Sequence, residues 1–260
     1  MKLNFELFNP KGFISEQQTD LIITVVALLL IAVIPALVLT FTFAWKYRAS
    51  KQSKFTPNVS GNTKLQLGWL GFLILIIISV GTLAFKNSHA LDPRKPIQSE
   101  KQAITIQVVA LEWKWLFIYP NSSIASVNFL QFPEDTPINL EITADAPMNS
   151  FLIPQLGGQM YAMNGMKTSL HIMANEVGDY RGFSSNISGE GFSGMKFTAR
   201  ASSDRDFNAW VETARISSGS LNYNELAKPS KNNLPTTYLV AQTDLFDSIV
   251  MKYGEPIHVR

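Results

Sequence analysis

The sequence contains no cysteine in 260 residues. That excludes disulfides, thiolate metal centres and thiol nucleophiles. It leaves the redox compartment open, because a domain of this size folds without covalent cross-links. Histidine is scarce as well: His89, His171 and His258 are the full set. No metal-like spacing joins them, and each reads as an ordinary surface or interfacial side chain. His171 is out of phase with Leu170 and Ile172, which puts it on the opposite face of a strand. There is no Gly-x-Ser-x-Gly, no phosphate loop and no dinucleotide fingerprint. Charged residues make up only 16% of the chain, and a net charge of +2 gives no argument for a nucleic-acid partner.

The chain does contain two long apolar runs. Residues 1–20 are mixed, with Lys2 and Lys11 against Glu6, Glu16 and Asp20, and are expected to form an exported N-terminal segment. They show no charged start followed by an apolar core and a small-residue cleavage site. Either the first helix directs its own insertion or a cleaved signal precedes residue 1. Residues 21–88 read as a transmembrane helical hairpin. The first span, Leu21 to Trp45, carries no charge and as a helix extends about 37 Å, enough for a hydrocarbon core of ~30 Å. Pro35 predicts a kink packed on another helix. The loop 46–64 holds Lys46, Arg48, Lys51, Lys54 and Lys64 and no acid, which places it on the cytoplasmic side. The second span, Leu65 to Phe85, includes Gly68, Gly71 and Gly81, which permit close approach of a neighbouring helix. Both termini are then expected outside.

Residues 89–102, with Pro93 and Pro96, read as a linker. From Ala103 the apolar period becomes two. Ile104, Ile106 and Val108 alternate with Thr105 and Gln107. Seven to nine short strands punctuated by Pro, Gly and Asn turns predict an all-β sandwich or barrel over 103–202. Residues 203–260 form a C-terminal helical extension. Ser203 caps a helix through Ile216, residues 217–241 read as a polar connector broken by Pro229 and Pro235, and a short apolar helix follows Asp244.

Four segments then carry a resemblance. They are Phe43-Ala44-Trp45-Lys46-Tyr47-Arg48-Ala49-Ser50, Glu112-Trp113-Lys114-Trp115-Leu116-Phe117-Ile118-Tyr119-Pro120, Met148-Asn149-Ser150-Phe151-Leu152-Ile153-Pro154 and Gly191-Phe192-Ser193-Gly194-Met195-Lys196-Phe197. With the layout of two spans and a β-domain, the chain resembles subunit II of haem–copper respiratory oxidases, and closely its cytochrome bo type ubiquinol oxidase branch. The resemblance runs from about Asn9 to Tyr253. It implies a two-helix hairpin followed by a cupredoxin-like Greek-key sandwich with short C-terminal helices.

In the cytochrome c oxidase branch that sandwich holds a dinuclear copper centre. Here Asn149 stands at the first histidine position, Ser188 and Phe192 approximately at the two cysteines, Glu190 at the glutamate between them and Lys196 near the second histidine. Bridging thiolates are required for such a centre, so the resemblance implies a metal-free domain with no catalytic group in this chain. Haems and copper would reside in partner subunit I, with ubiquinol as the substrate of the complex. Subunit II would act as an assembly and capping element of a proton-translocating oxidase in a bacterial inner membrane, beside subunits I, III and IV and membrane lipid.

The aromatic run Trp113, Trp115, Phe117 and Tyr119 is expected either at an inter-subunit contact or in the sandwich core. Two departures stand out. The lipid-modified cysteine usual in bacterial relatives is missing, and Leu65 and Gln66 occupy a region where many relatives carry a proton-uptake carboxylate. The competing reading is a cupredoxin-like binding or structural protein anchored in the membrane outside any oxidase.

Overall fold

The computed structural model describes residues 6–48, 63–231, 234–254 and 257–258. The chain divides into two compact units, one of residues 19–91 and one joining the segment up to Gln18 with Asp92–Arg260. Most of the basic loop, including Lys51 and Lys54, lies outside the described residues.

The first unit is helical. Helix α1 spans Phe13–Lys46 and runs through Pro35, and α2 spans Thr63–Ala90. Both are long and apolar enough to cross a bilayer. Their apolar side chains are mostly exposed, among them Leu29, Val33, Leu37, Leu70 and Ile77. Nothing within 4 Å would meet a Cβ at Gly68, Gly71 or Gly81.

Helix α1 starts earlier than the apolar run suggests. Within the N-terminal segment expected over 1–20, the described residues form a short 3-10 turn at Glu6–Phe8 and the opening of α1 from Phe13. The reason is tertiary. The Lys11 N–H donates to the Gln155 carbonyl at 2.8 Å, and Gly12 bridges Ala174. The Ser15 hydroxyl donates to the Gln155 carbonyl at 2.6 Å, and the Lys11 ammonium pairs with Glu176 at 2.7 Å. The Phe13 N–H, the first of the helix, donates to the Met173 carbonyl at 3.2 Å, and together these contacts stitch the start of the helix to the β-domain.

That domain has ten strands between residues 104 and 202: β1 Ile104–Leu111, β2 Lys114–Tyr119, β3 Ile124–Val127, β4 Phe129–Pro133, β5 Ile138–Ala144, β6 Asn149–Leu152, β7 Gln159–Ala162, β8 Met166–Ile172, β9 Gly178–Ser184 and β10 Lys196–Ser202. Two features raise the count above the seven to nine expected. Strand β7 is one, with Met160 and Ala162 turned inward. The other is a break at Asn128, whose φ of 53° divides one apolar run into β3 and β4. Asparagine tolerates that left-handed backbone. Its side-chain oxygen accepts from the Trp115 N–H at 2.8 Å, and the chain there crosses from one sheet to the other.

Helix α3, Asp204–Ser217, is capped by Ser203, whose hydroxyl accepts from the Asp206 N–H. The stretch expected to be a polar connector holds β11 Gly219–Ser220, α4 Tyr223–Leu226 and β12 Thr236–Leu239. Strand β12 exists because the edge of β3 offers unpaired backbone groups, and it pairs there antiparallel. Helix α5, Leu245–Met251, and β13, Ile257–His258, complete the chain. The larger sheet runs β11-β12-β3-β2-β1-β5-β8-β13 and the smaller β4-β10-β9-β6-β7. Strands β1 and β5, and β4 and β10, pair in parallel across long connections of the Greek-key kind.

The aromatic run belongs to the core. Trp115, Phe117 and Tyr119 point into the core, where Trp115 and Phe117 meet Phe151 and Phe197, and Tyr119 meets Phe207 and Trp210 of α3. Trp115 meets Phe151 edge-on at 5.3 Å, and Phe151 stacks on Phe197 at 5.0 Å. The alternate residues Leu116 and Ile118 face outward but are buried too, under Leu245, Phe246, Ile249 and Val250. As inter-subunit contact candidates Trp115, Phe117 and Tyr119 are therefore corrected, because this chain itself covers both faces of β2. Only Trp113 retains partial exposure. His171 pairs with Asn139 and is half-buried on the outer face, while Leu170 and Ile172 lie inside.

Replacing Trp115 by alanine removes the largest fully buried side chain and should destabilise the sandwich by about 3–5 kcal/mol. Thermal unfolding of the detergent-solubilised chain measures this. A midpoint matching the parent's would show that the ring is not in the core.

Candidate functional site

Strand β9 ends at Ser184 and β10 begins at Lys196, so the glycine-rich segment between them is a loop at one end of the sandwich. Gly189 holds a φ of 101°, a conformation that side chains rarely adopt, and Phe192–Gly194 form a 3-10 turn. Asn149 opens β6 beneath this loop and is buried. Both ends of its amide are engaged: the NH2 donates to the Pro147 carbonyl at 2.7 Å, and the oxygen accepts from the Ser184 hydroxyl at 2.9 Å. The Ser188 hydroxyl is buried with no hydrogen-bond partner among the described residues. Glu190 and Lys196 are exposed and Phe192 is half-buried.

The space under the loop belongs to Trp113. This residue sits in the β1–β2 turn with φ 64°, an unusual backbone for a bulky side chain. Its indole N–H donates to the Ser188 carbonyl at 3.2 Å. A Cβ at Gly191 would lie 2.2 Å from the ring. Glycine at 191 is therefore what lets the indole lie flat against the loop backbone. Lys231 closes the other side. Its ammonium lies 5.7 Å from the Trp113 ring centroid and pairs with the Glu190 carboxylate at 2.6 Å. The Lys231 hydrogen bond and charge hold the Glu190 carboxyl below the usual carboxylate range.

Lys231 belongs to the C-terminal arm, residues 219–254, which is fastened at two further points. The Lys114 side chain is buried and donates to the Lys228 carbonyl at 2.7 Å. Burial lowers the pKa of its ammonium, partly offset by the charge of Glu112. Asp145, just past β5, is the second anchor. Its side chain is 2% exposed. It accepts from the Tyr223 hydroxyl at 2.6 Å, from the Lys252 ammonium at 2.7 Å and from the Tyr253 hydroxyl. Burial alone would push the Asp145 carboxyl up. The bonds from Lys252, Tyr223 and Tyr253, with the Lys252 charge, outweigh it and hold the group below the usual range. Desolvation, together with the Asp145 carboxylate, raises the Tyr223 hydroxyl far above its ordinary value.

Of the positions singled out by sequence, the structure thus places Asn149, Ser188, Glu190 and Phe192 in or beneath one loop, with Lys196 on the outer side of β10. Trp113 joins them. Sequence reasoning missed Lys231, Lys114 and Asp145, and an isolated lysine or aspartate carries no local signal of a partner that lies far away in the chain.

Two bilayer-length helices, a two-sheet sandwich and a ligand-type loop at its end describe the subunit II class of membrane-anchored, cupredoxin-like oxidase components. The COX Aromatic Rich Motif matches residues 219–256, the arm. The chain is 48% identical over 264 aligned residues to cytochrome bo(3) ubiquinol oxidase subunit 2 of Pseudomonas putida, covering 98% of this chain and 84% of that one. It is 44% identical to ubiquinol oxidase subunit 2 of Acetobacter aceti, covering 96% and 83%. The crystal structure of the periplasmic domain of subunit II of cytochrome oxidase from Bradyrhizobium japonicum aligns with 23% identity and a TM-score of 0.43, covering 46% of this chain and 96% of that one. The chain belongs to the cytochrome bo(3) ubiquinol oxidase subunit 2 family.

Two outcomes follow. Valine at Gly191 must expel the Trp113 ring, so G191V should raise indole exposure, read as a red-shifted and more readily quenched tryptophan emission; an emission spectrum identical to the parent's would contradict the packing. Asp145→Asn should loosen the arm by roughly 1.5–3 kcal/mol, the range for hydrogen bonds to a charged group, and speed limited proteolysis within residues 219–254. The folded-state pKa of Asp145 is depressed, so its contribution is present above the unfolded-state value of about 3.9. That contribution is lost as pH falls through the lower folded-state value. Protection of the parent's arm should therefore fall at acid pH, and in D145N that part of the pH dependence should be absent.

Proposed function

We propose that this chain is the non-redox subunit II of a quinol:oxygen oxidoreductase. In this reading the sandwich no longer carries electrons and acts as an assembly and capping element. Ubiquinol, soluble in the membrane, delivers electrons directly to a partner subunit I that carries the haems and copper. The complex translocates protons across a bacterial inner membrane, with subunits III and IV alongside. Both termini of this chain and its sandwich lie on the periplasmic side, with the basic loop 46–64 in the cytoplasm.

The donor chemistry of the loop supports this most directly. A dinuclear copper centre needs thiolates and imidazoles held in a fixed frame. The corresponding positions offer an amide already spent on Pro147 and Ser184, a hydroxyl, an ion-paired carboxylate, a phenyl ring and an ammonium. The Trp113 indole packs against the loop backbone. Among the described residues no three His, Asp or Glu side chains converge. These residues do not fit the metal, and no electron-transfer step is assigned to them. The relatives named ubiquinol oxidase subunit 2, at 48% and 44% identity, support the assignment to a quinol-oxidising complex. The open faces around Gly68, Gly71 and Gly81 on α2 suit close packing by helices of another subunit.

The chain purified alone should bind no stoichiometric copper and oxidise no quinol. Isolated from its native membrane in mild detergent, it should carry a haem-bearing polypeptide with it, visible as a haem spectrum. A mixed-valence dinuclear copper signal would overturn the non-redox reading. Preparations free of haem would leave the oxidase assignment without support.

A further inference from the structure

The two sheets of the sandwich are treated unequally by the rest of the chain. The arm covers the outer face of the larger sheet, where α5 lies over Leu116 and Ile118. On the smaller sheet α3 packs at the β4–β10 end, where Trp210 meets Phe129 at 6.0 Å. The outer face of β10, β9, β6 and β7 beyond that end has no covering element among the described residues.

That face has a definite chemistry. Pairing across the strands aligns Lys196 with Phe183, Phe183 with Leu152 and Leu152 with Gln159. One step along, Arg181 pairs with Thr198, and Tyr161 pairs with Ser150. Directly paired residues share a face. Arg181, Lys196, Gln159 and Tyr161 are exposed, while Phe183 and Leu152 are partly so. Arg181 and Lys196 also border an open cavity of about 430 Å³. The nearby Arg200 shows what a satisfied cation looks like here. It holds Asp179 in a two-pronged pair at 2.6 and 2.7 Å. Arg181 has no such partner among the described residues and lies 5.2 Å over the Phe183 ring instead. Lys196 likewise forms no ion pair among the described residues.

We infer that this face is a docking surface for a carboxylate-bearing polypeptide segment of another subunit of the oxidase. The inference rests on the reading of this chain as one subunit of a complex. Two cations without counter-charges among the described residues, set beside the half-exposed Phe183 and Leu152, are what an acidic segment with one or two apolar side chains would complement. Arginine and tyrosine are enriched at such interfaces, and an opposite-sign partner fixes register and suppresses wrong contacts. A flat, pleated face bearing Gln159 and Tyr161 beside the cations matches the side-chain spacing of a polypeptide more closely than that of a single headgroup.

The test uses the whole complex from its native membrane, with a tag on this chain. Charge reversal of both cations, R181E with K196E, should lower recovery of at least one partner subunit by about tenfold, the factor that 1.4 kcal/mol represents. Raising the salt should weaken the parent complex and not weaken the variant further. The charge-keeping pair R181K with K196R should restore recovery. A photo-cross-linking residue at position 161 should join this chain to an acidic stretch of another subunit, located by mass spectrometry. Full recovery of every subunit with the reversed charges would overturn the proposal, as would a cross-link found only on phospholipid. Parent chain recovered without any haem-bearing subunit would remove the oxidase reading and this one together. Parent complex recovered intact beside an equally intact variant would remove this one alone.

Discussion

Burial of β2 on both of its faces is the constraint from which most of this structure follows. Trp115, Phe117 and Tyr119 pack into the core, and Leu116 and Ile118 fill the space under the arm. A strand in an ordinary sandwich presents polar residues to water on its outer face. Here the outer face is apolar, and leaving it exposed would cost roughly 25 cal/mol for each Å² of apolar surface. The C-terminal arm is therefore required by the sandwich and is not an appendage to it.

The arm's other attachments make sense in that light. Asp145 collects two tyrosines and a lysine from its two ends, and Lys114 pins the Lys228 carbonyl between them. Hydrogen bonds to buried charges are strong and directional. They fix where the apolar contact of α5 with Leu116 and Ile118 forms. The same arm brings Lys231 over Trp113 and against Glu190. The segment that completes the larger sheet thus also closes over the glycine-rich loop between β9 and β10. At that place an indole N–H bonded to the loop backbone and an ion pair to the arm tie the loop to the rest of the sandwich.

How much of this could be read in advance depended on the range of the interaction. The two spans, the β character of 103–202 and the cap at Ser203 were legible because periodicity, turn chemistry and capping are local. The break at Asn128 was not, because nothing in Ser-Val-Asn-Phe-Leu marks a change of sheet; the amide oxygen's bond to the Trp115 N–H does. Strand β12 hid inside a polar, proline-flanked stretch, since Thr-Thr-Tyr-Leu is a strand only beside the free edge of β3. The early start of α1 was hidden for the same reason, its first turn being held by Gln155 and residues 173–176.

At the candidate site the lack of cysteine excluded thiolate chemistry in advance, because no fold can create a thiolate that the chain does not encode. The family segments likewise located the loop. Sequence left the aromatic run of β2 divided between core and contact surface, as alternation says that residues share a face and not what covers it. Only the tertiary structure decided that three of those aromatics lie inside, that Trp113 alone reaches the loop, and that Gly191 is glycine for its sake. Covalent composition sets which reactions are possible. Which side chains meet is set by contacts between residues tens of positions apart, and those exist only once the chain has closed on itself.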